Sequence, residues 1–262
     1  MNEKALNVLE YDKIMERLAR RATTPIGKAR ALALRPMTDI KEIRKACQET
    51  TDACDRVRRH GPLTFSGVKD ILPSIKRLEV GSNLGIGELL AISGILSAAA
   101  KAKSYGREDD EVPADSLTGL FDSLSPLTPL NQEITRCIKS EDEIDDHASP
   151  ALHQIRRSMA GISGRIHAQL NSLMASHASE LRDSVVTMRN GHYCLPVKAE
   201  NKNAISGMVQ DQSASGSTYF VEPMAVIKLN SELRELQIKE QKEIEVILAK
   251  LSSLAAAYPE EL

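Results

Sequence analysis

Tryptophan is absent from the 262 residues, and phenylalanine and tyrosine number only 3 and 5. A core must therefore be filled by Leu, Ile, Ala and Met, which suits long helices. The same scarcity argues against a surface that stacks bases on aromatic rings. The 4 cysteines, Cys47, Cys54, Cys137 and Cys194, show no C-x-x-C spacing. Neither a zinc ribbon nor a dithiol redox motif is indicated, and they read as reduced thiols of a cytoplasmic protein. No apolar run is long enough to span a bilayer. The opening MNEKALNVLEYDKIMERL is charged and amphipathic, without the apolar centre of a signal peptide. A strong charge is missing too: the formal net charge is -2. That is not the basic footprint of a domain that lives on DNA, so nucleic-acid binding would need a local patch or another part of the protein.

What is present is the balance of a soluble globular protein, 42% hydrophobic and 27% charged residues. The length suggests one large or two modest domains. Leu6, Val8, Leu9, Ile14 and Leu18 fall near helical spacing. Thr24-Pro25 opens a helix over 26–34, with Thr24 as N-cap and Pro25 at its first position. Thr38-Asp39 opens another, carrying Ile40, Ile43, Cys47, Thr50 and Cys54. RRHGPLTFSG reads as a loop, 70–78 as a short helix, and a small-residue helix starts at Glu88. Residues 106–149 are acidic and broken by Pro113, Pro126 and Pro129; short helices and connections are expected there.

From Ser149 the pattern changes. Leu152, Ile155, Met159, Ile162, Ile166, Leu170, Leu173 and Leu181 recur at three- and four-residue steps, the seam of a long helix suited to coiled-coil-like packing. A second seam, Leu229, Leu233, Leu236, Ile244, Ile247, Leu251 and Leu254, follows Pro223. Between them the period shortens. Asn190-Gly191 is a turn signal, and β-prone runs follow at 192–197, 204–210 and 217–221. Neither seam hides itself alone. The expectation is two long antiparallel helices in contact, over about 150–182 and 224–256, with a small β element at about 190–222. The fold class is mainly α with a small β element. The domains expected are a helical 1–148 and a lever-like 149–262.

Chemistry-bearing patterns are few. The turn Ser213, Ala214, Ser215, Gly216, Ser217 could offer backbone N–H groups to a phosphate; the plainer reading, which the residues favour, is a β-turn whose serines satisfy local backbone. A serine nucleophile is disfavoured, because no G-x-S-x-G elbow or connected histidine accompanies it. His153, His167 and His177 lack the i, i+4 spacing of a helical metal pair. GSNLGIG lacks both phosphate-loop signatures and reads as a plain turn. Charge is uneven. Between Pro150 and Gln210 the bases are Arg156, Arg157, Arg165, Arg182, Arg189, Lys198 and Lys202, against only Glu180, Asp183 and Glu200. A polyanion would be drawn there and repelled by the acidic 107–146. A solvated helix face explains the same bases equally well. The candidate polyanion contacts are Arg182, Arg189, His192, Lys198 and Lys202, with Ser213, Ser215 and Ser217.

Three stretches carry a resemblance: NVLEYDKIMERLARRATTPIGKARALALRPMTDIKEIRKACQETTDA, EVGSNLGIGELLAISGIL, and RNGHYCLPVKAENKNAISGMVQDQSASGSTYFVEPMAVIKLNSELRELQIKEQKEIEVIL. Together they resemble bacterial MutS proteins of the second type over nearly the whole chain. His192 and Cys194 depart from the residues more usual in that family, an arginine and an aliphatic, which would weaken a charge contact at His192. The resemblance implies a longer protein: an ATPase using ATP and Mg, dimerising through that ATPase, with a small nuclease domain. It implies roles in suppressing recombination on branched DNA and in splitting collided ribosomes through rRNA contacts. This chain has neither a phosphate-binding loop nor a nuclease-like tail. It is expected to be a fragment without ATPase or nuclease activity, cofactor or metal. The partners implied are DNA or the ribosome, with a homodimer in the whole protein and no membrane. The alternative is a helical scaffold for protein contacts.

Overall fold

A computed structural model describes residues 3–65, 67–107 and 114–262. Ser66 of the expected loop and the break at Pro113 lie outside the described residues. The fold is mainly α with two small sheets. The chain divides into two compact units, Met1–Asp145 with Leu248–Leu262, and Asp146–Ile247.

The first unit opens with α1 (Glu3–Val8), α2 (Tyr11–Ala19) and α3 (Pro25–Ala33). The break between α1 and α2 falls at Glu10, which takes a left-handed conformation with φ 50°. Thr24 caps α3, its hydroxyl accepting from Gly27 N–H at 3.0 Å, with Pro25 in the first turn. Asp39 caps α4 (Ile40–His60) in the same way. Then come α5 (Leu72–Glu79), α6 (Ile86–Gly106), α7 (Thr118–Asp122), α8 (Thr128–Cys137) and the small pair β1 (Ile138–Ser140) and β2 (Glu143–Ile144). Helix α6 packs on α8 and buries Leu89, Ile92 and Leu96. Asn131 holds that contact, accepting from Ser93 at 2.6 Å and donating to Ser97 at 3.0 Å.

One buried ion pair in this unit makes a pH-dependent contribution. Arg56 forks onto Asp115, Nε to Oδ2 at 2.5 Å and Nη2 to Oδ1 at 2.9 Å, with both side chains nearly covered (11% and 13% exposed). The Arg56 hydrogen bonds, helped by the Leu117 N–H, hold the Asp115 carboxyl down to about 2. A carboxyl with a depressed folded pKa stabilises fully above its ordinary range, and that stability is lost as pH falls through the folded value. The pair contributes about 2 kcal/mol at neutral pH. Asp115→Asn should therefore lower the urea midpoint near neutrality, and the gap from wild type should close between about pH 4 and pH 2.

The second unit begins with α9 (Pro150–Ser176), capped by the Ser149 hydroxyl accepting from Leu152 N–H at 3.0 Å. It continues through β3 (Thr187–Arg189), β4 (His192–Lys198), β5 (Gly207–Gln212) and β6 (Thr218–Pro223) into α10 (Met224–Ala255), whose last residues belong to the first unit. The four strands form one antiparallel sheet in the order β3-β4-β6-β5. Asn190 and Gly191 turn β3 into β4, both with positive φ (51° and 81°), the type I′ geometry that Asn-Gly supplies. Helices α9 and α10 run in opposite directions. Ser149 bonds Glu243 at 2.7 Å, and seven residues on, Arg156 reaches back to Glu240 at 2.7 Å. Their seams meet the sheet in one core of Ile166, Leu170, Leu195, Val197, Val221, Val226, Leu229 and Leu233. Helix α9 stops at Ser176, short of the expected 182. Leu181 is instead bridged to Val197 at the sheet edge, where its side chain is buried. Among the described residues no helix is long and apolar enough to cross a membrane.

Candidate nucleic-acid interface

Alternation along the strands gives the sheet two faces. Tyr193, Leu195, Val197, Tyr219 and Val221 belong to the helix core. Residues of opposite parity, among them Arg189, His192, Cys194, Lys198, Phe220 and Glu222, take the other face, by the pairings Arg189 with His192 and Lys198 with Thr218.

Glu222 organises this sheet. Its side chain is buried (2% exposed), yet both oxygens are satisfied. Oε1 accepts from Asn230 Nδ2 at 2.8 Å and lies 3.0 Å from His192 Nδ1; Oε2 accepts from Gln210 Nε2 at 2.6 Å. The carboxylate thus ties β4, β5 and α10 to its own strand. Asn230 does a second job. Its Oδ1 accepts from Tyr193 N–H and its Nδ2 donates to Tyr193 C=O, both at 3.3 Å. Continued two residues past Leu195 and Val221, the register sets Tyr193 opposite Pro223, which has no N–H, so the carboxamide supplies the rung that proline withholds. Gly207 fits the same corner. A Cβ there would sit 2.2 Å from Glu222 O.

The eight candidate residues are not gathered into one patch. Arg189 pairs with Asp211 at 3.3 Å and lays its guanidinium 4.0 Å over the Phe220 ring. His192 is turned onto Glu222. Lys198 donates to Ser179 C=O at 2.8 Å, and Lys202 Nζ lies 4.9 Å over Tyr219. Arg182 donates its backbone N–H to Pro196 C=O, while its side chain is exposed and in no ion pair among the described residues. Ser217 C=O accepts from Ala199 N–H at 3.1 Å, which brings the serine turn beside Lys198. Arg189 and His192 are at the far end of β4, about 20 Å away at strand rise.

The serine turn satisfies itself. Ser213 Oγ accepts from Thr218 N–H at 3.1 Å, Ser215 and Ser217 hydroxyls bond at 2.8 Å, and Gly216 (φ 70°) donates to Ser213 C=O at 2.8 Å. This is the β-turn favoured from the residues. Cys194 is fully buried on β4 near Glu222 and Arg189, and burial pushes its thiol up to about 11. Among the described residues, no cluster of three or more His, Cys, Asp or Glu is arranged to hold a metal ion.

Comparison with known proteins adds what geometry alone does not. No family model matches the chain. It is 49% identical over 264 residues to Endonuclease MutS2 of Lachnoclostridium phytofermentans, covering 98% of this chain and 33% of that protein. The chain matches one third of a MutS2 protein. Endonuclease MutS2 of Agathobacter rectalis is likewise 49% identical, over 98% of this chain and 33% of its own length. That of Alkaliphilus metalliredigens is 38% identical over all of this chain and 34% of the relative. The chain thus spans about a third of the length of the MutS2 proteins it matches, and it contains no G-x-x-x-x-G-K-S/T phosphate loop. Sequence reasoning missed Glu222, Gln210 and Asn230 as the joint of the sheet. The signal available was an isolated acid in an apolar run, YFVEPMAVI, followed eight residues on by an asparagine in the helix seam.

Proposed function

We propose that the chain is the N-terminal, non-catalytic arm of a MutS2-type protein, one that grips nucleic acid or a ribonucleoprotein through its second unit. The observation that carries the reading is the match to MutS2 proteins across 98% of the chain. The charge of the first half of the second unit supports it: between His147 and Ala199 the acids are only Glu180 and Asp183, against Arg156, Arg157, Arg165, Arg182, Arg189 and Lys198. ATP, magnesium, nuclease chemistry, dimerisation and the choice between branched DNA and rRNA belong in this reading to the whole protein. So does a cytoplasmic location. A second reading, a scaffold for protein contacts, is favoured by one observation: Arg189, His192, Lys198 and Lys202 already have partners within the chain.

The test uses the two candidate cations left most exposed, Arg182 and Lys202. Lys and Arg bound to phosphate release counterions, so binding weakens with salt, and losing one such contact reduces the log–log slope by about 1. Arg182→Glu with Lys202→Glu should weaken binding to branched DNA and to ribosomes on every sequence alike, with a salt slope shallower by about 2. Equal affinity and equal slope for wild type and variant would leave the scaffold reading.

A further inference from the structure

Helix α9 contains no Asp or Glu in its 27 residues. Its side opposite the buried Leu152, Ile166 and Leu170 presents Gln154, Arg157, Gly161, Gly164, Arg165 and Ala168, all exposed. Arg157 and Arg165 are in no ion pair among the described residues, unlike neighbouring Arg156, which is held by Asp146 and Glu240. They stand eight residues apart, about 12 Å along the axis. Between them Gly161 and Gly164 leave bare backbone, and a Cβ at either would meet nothing within 4 Å. Mid-helix glycine costs about 1 kcal/mol relative to alanine. Among the described residues no packing requires it.

The charge decides what would use that strip. The same face of a second copy would bring two more arginines and no carboxylate, a like-charge contact. An apolar partner finds no anchor, since no large hydrophobic of α9 is among the exposed ones. A polyanion that approaches closely satisfies both features. Building on the proposed grip, we infer that the outer face of α9 is a contact for the phosphodiester backbone of nucleic acid. Arg157 and Arg165 engage phosphates on either side of a glycine strip that lets the backbone come near. Such contacts position without reading sequence.

The test measures anisotropy of a labelled branched DNA and a labelled rRNA hairpin with the full 262-residue chain. Two variants are compared with wild type. Arg157→Glu with Arg165→Glu removes the charge. Gly161→Gln with Gly164→Gln keeps it, fills the strip and favours the helix, so a misfolded chain is not the explanation of any loss. Both should weaken binding by about tenfold on the nucleic acid that is held, the glutamine variant while raising the melting temperature. Wild-type affinity in both, alongside loss in Arg182→Glu with Lys202→Glu, overturns this inference and leaves the proposed function standing. No binding of wild type to either probe overturns both. Tighter binding to polyglutamate than to either nucleic acid at equal ionic strength overturns it in favour of an acidic protein.

Discussion

Glu222→Ala should destabilise the chain by about 3–5 kcal/mol, read as a drop in the urea midpoint. Alanine removes a buried carboxylate on which Asn230, Gln210 and His192 converge. Two carboxamide donors are then left in a site with little water, and leaving a buried donor unpaired costs about 1–3 kcal/mol. Glu222→Gln should cost less, because its carbonyl oxygen still accepts one of those bonds. An alanine variant as stable as wild type would mean that water replaces the carboxylate without penalty. The sheet would then not depend on this residue.

Leu170→Ala should cost about 2–5 kcal/mol. Leu170 is fully buried where α9, α10 and the sheet meet, packed in the cluster that includes Leu195, Val221 and Leu233. The loss combines transfer of the side chain to water with a cavity that the surrounding strands close only in part. Ile238→Ala is the matched control. Ile238 lies on α10 but is 52% exposed, and its replacement should change stability by no more than about 0.5 kcal/mol. Equal effects at the two positions would contradict the assignment of the seam.

The sequence made the long helices and most of the sheet legible because each has a strong periodic or capping signal. Thr24-Pro25, Asp39 and Ser149 sit where the caps are found, and Ile166, Leu170, Leu229 and Leu233 are buried as their spacing predicts. What was not legible depends on contacts distant in sequence. Strand β3 is three residues long and owes its existence to pairing with β4, so it has no pattern of its own. The break at Glu10 carries no glycine or proline to announce it. Leu254 continues the α10 seam by spacing, yet it is 39% exposed, while Ser252 beside it is buried and accepts from Leu84 N–H at 2.9 Å. The candidate site was legible as a region short of acids and illegible as geometry. Spacing along the chain did not reveal that Arg189 would find Asp211 and Phe220, or that Arg157 and Arg165 would face outward without carboxylates.

The grip on a polyanion is tested most directly by the salt dependence of wild-type binding to branched DNA and to ribosomes. Displaced counterions make log affinity fall linearly with log salt, by about 0.9 per phosphate neutralised on duplex DNA. A steep negative slope is expected on at least one of the two targets, the same for unrelated sequences of that target. Affinity that is flat in salt on both targets would contradict it.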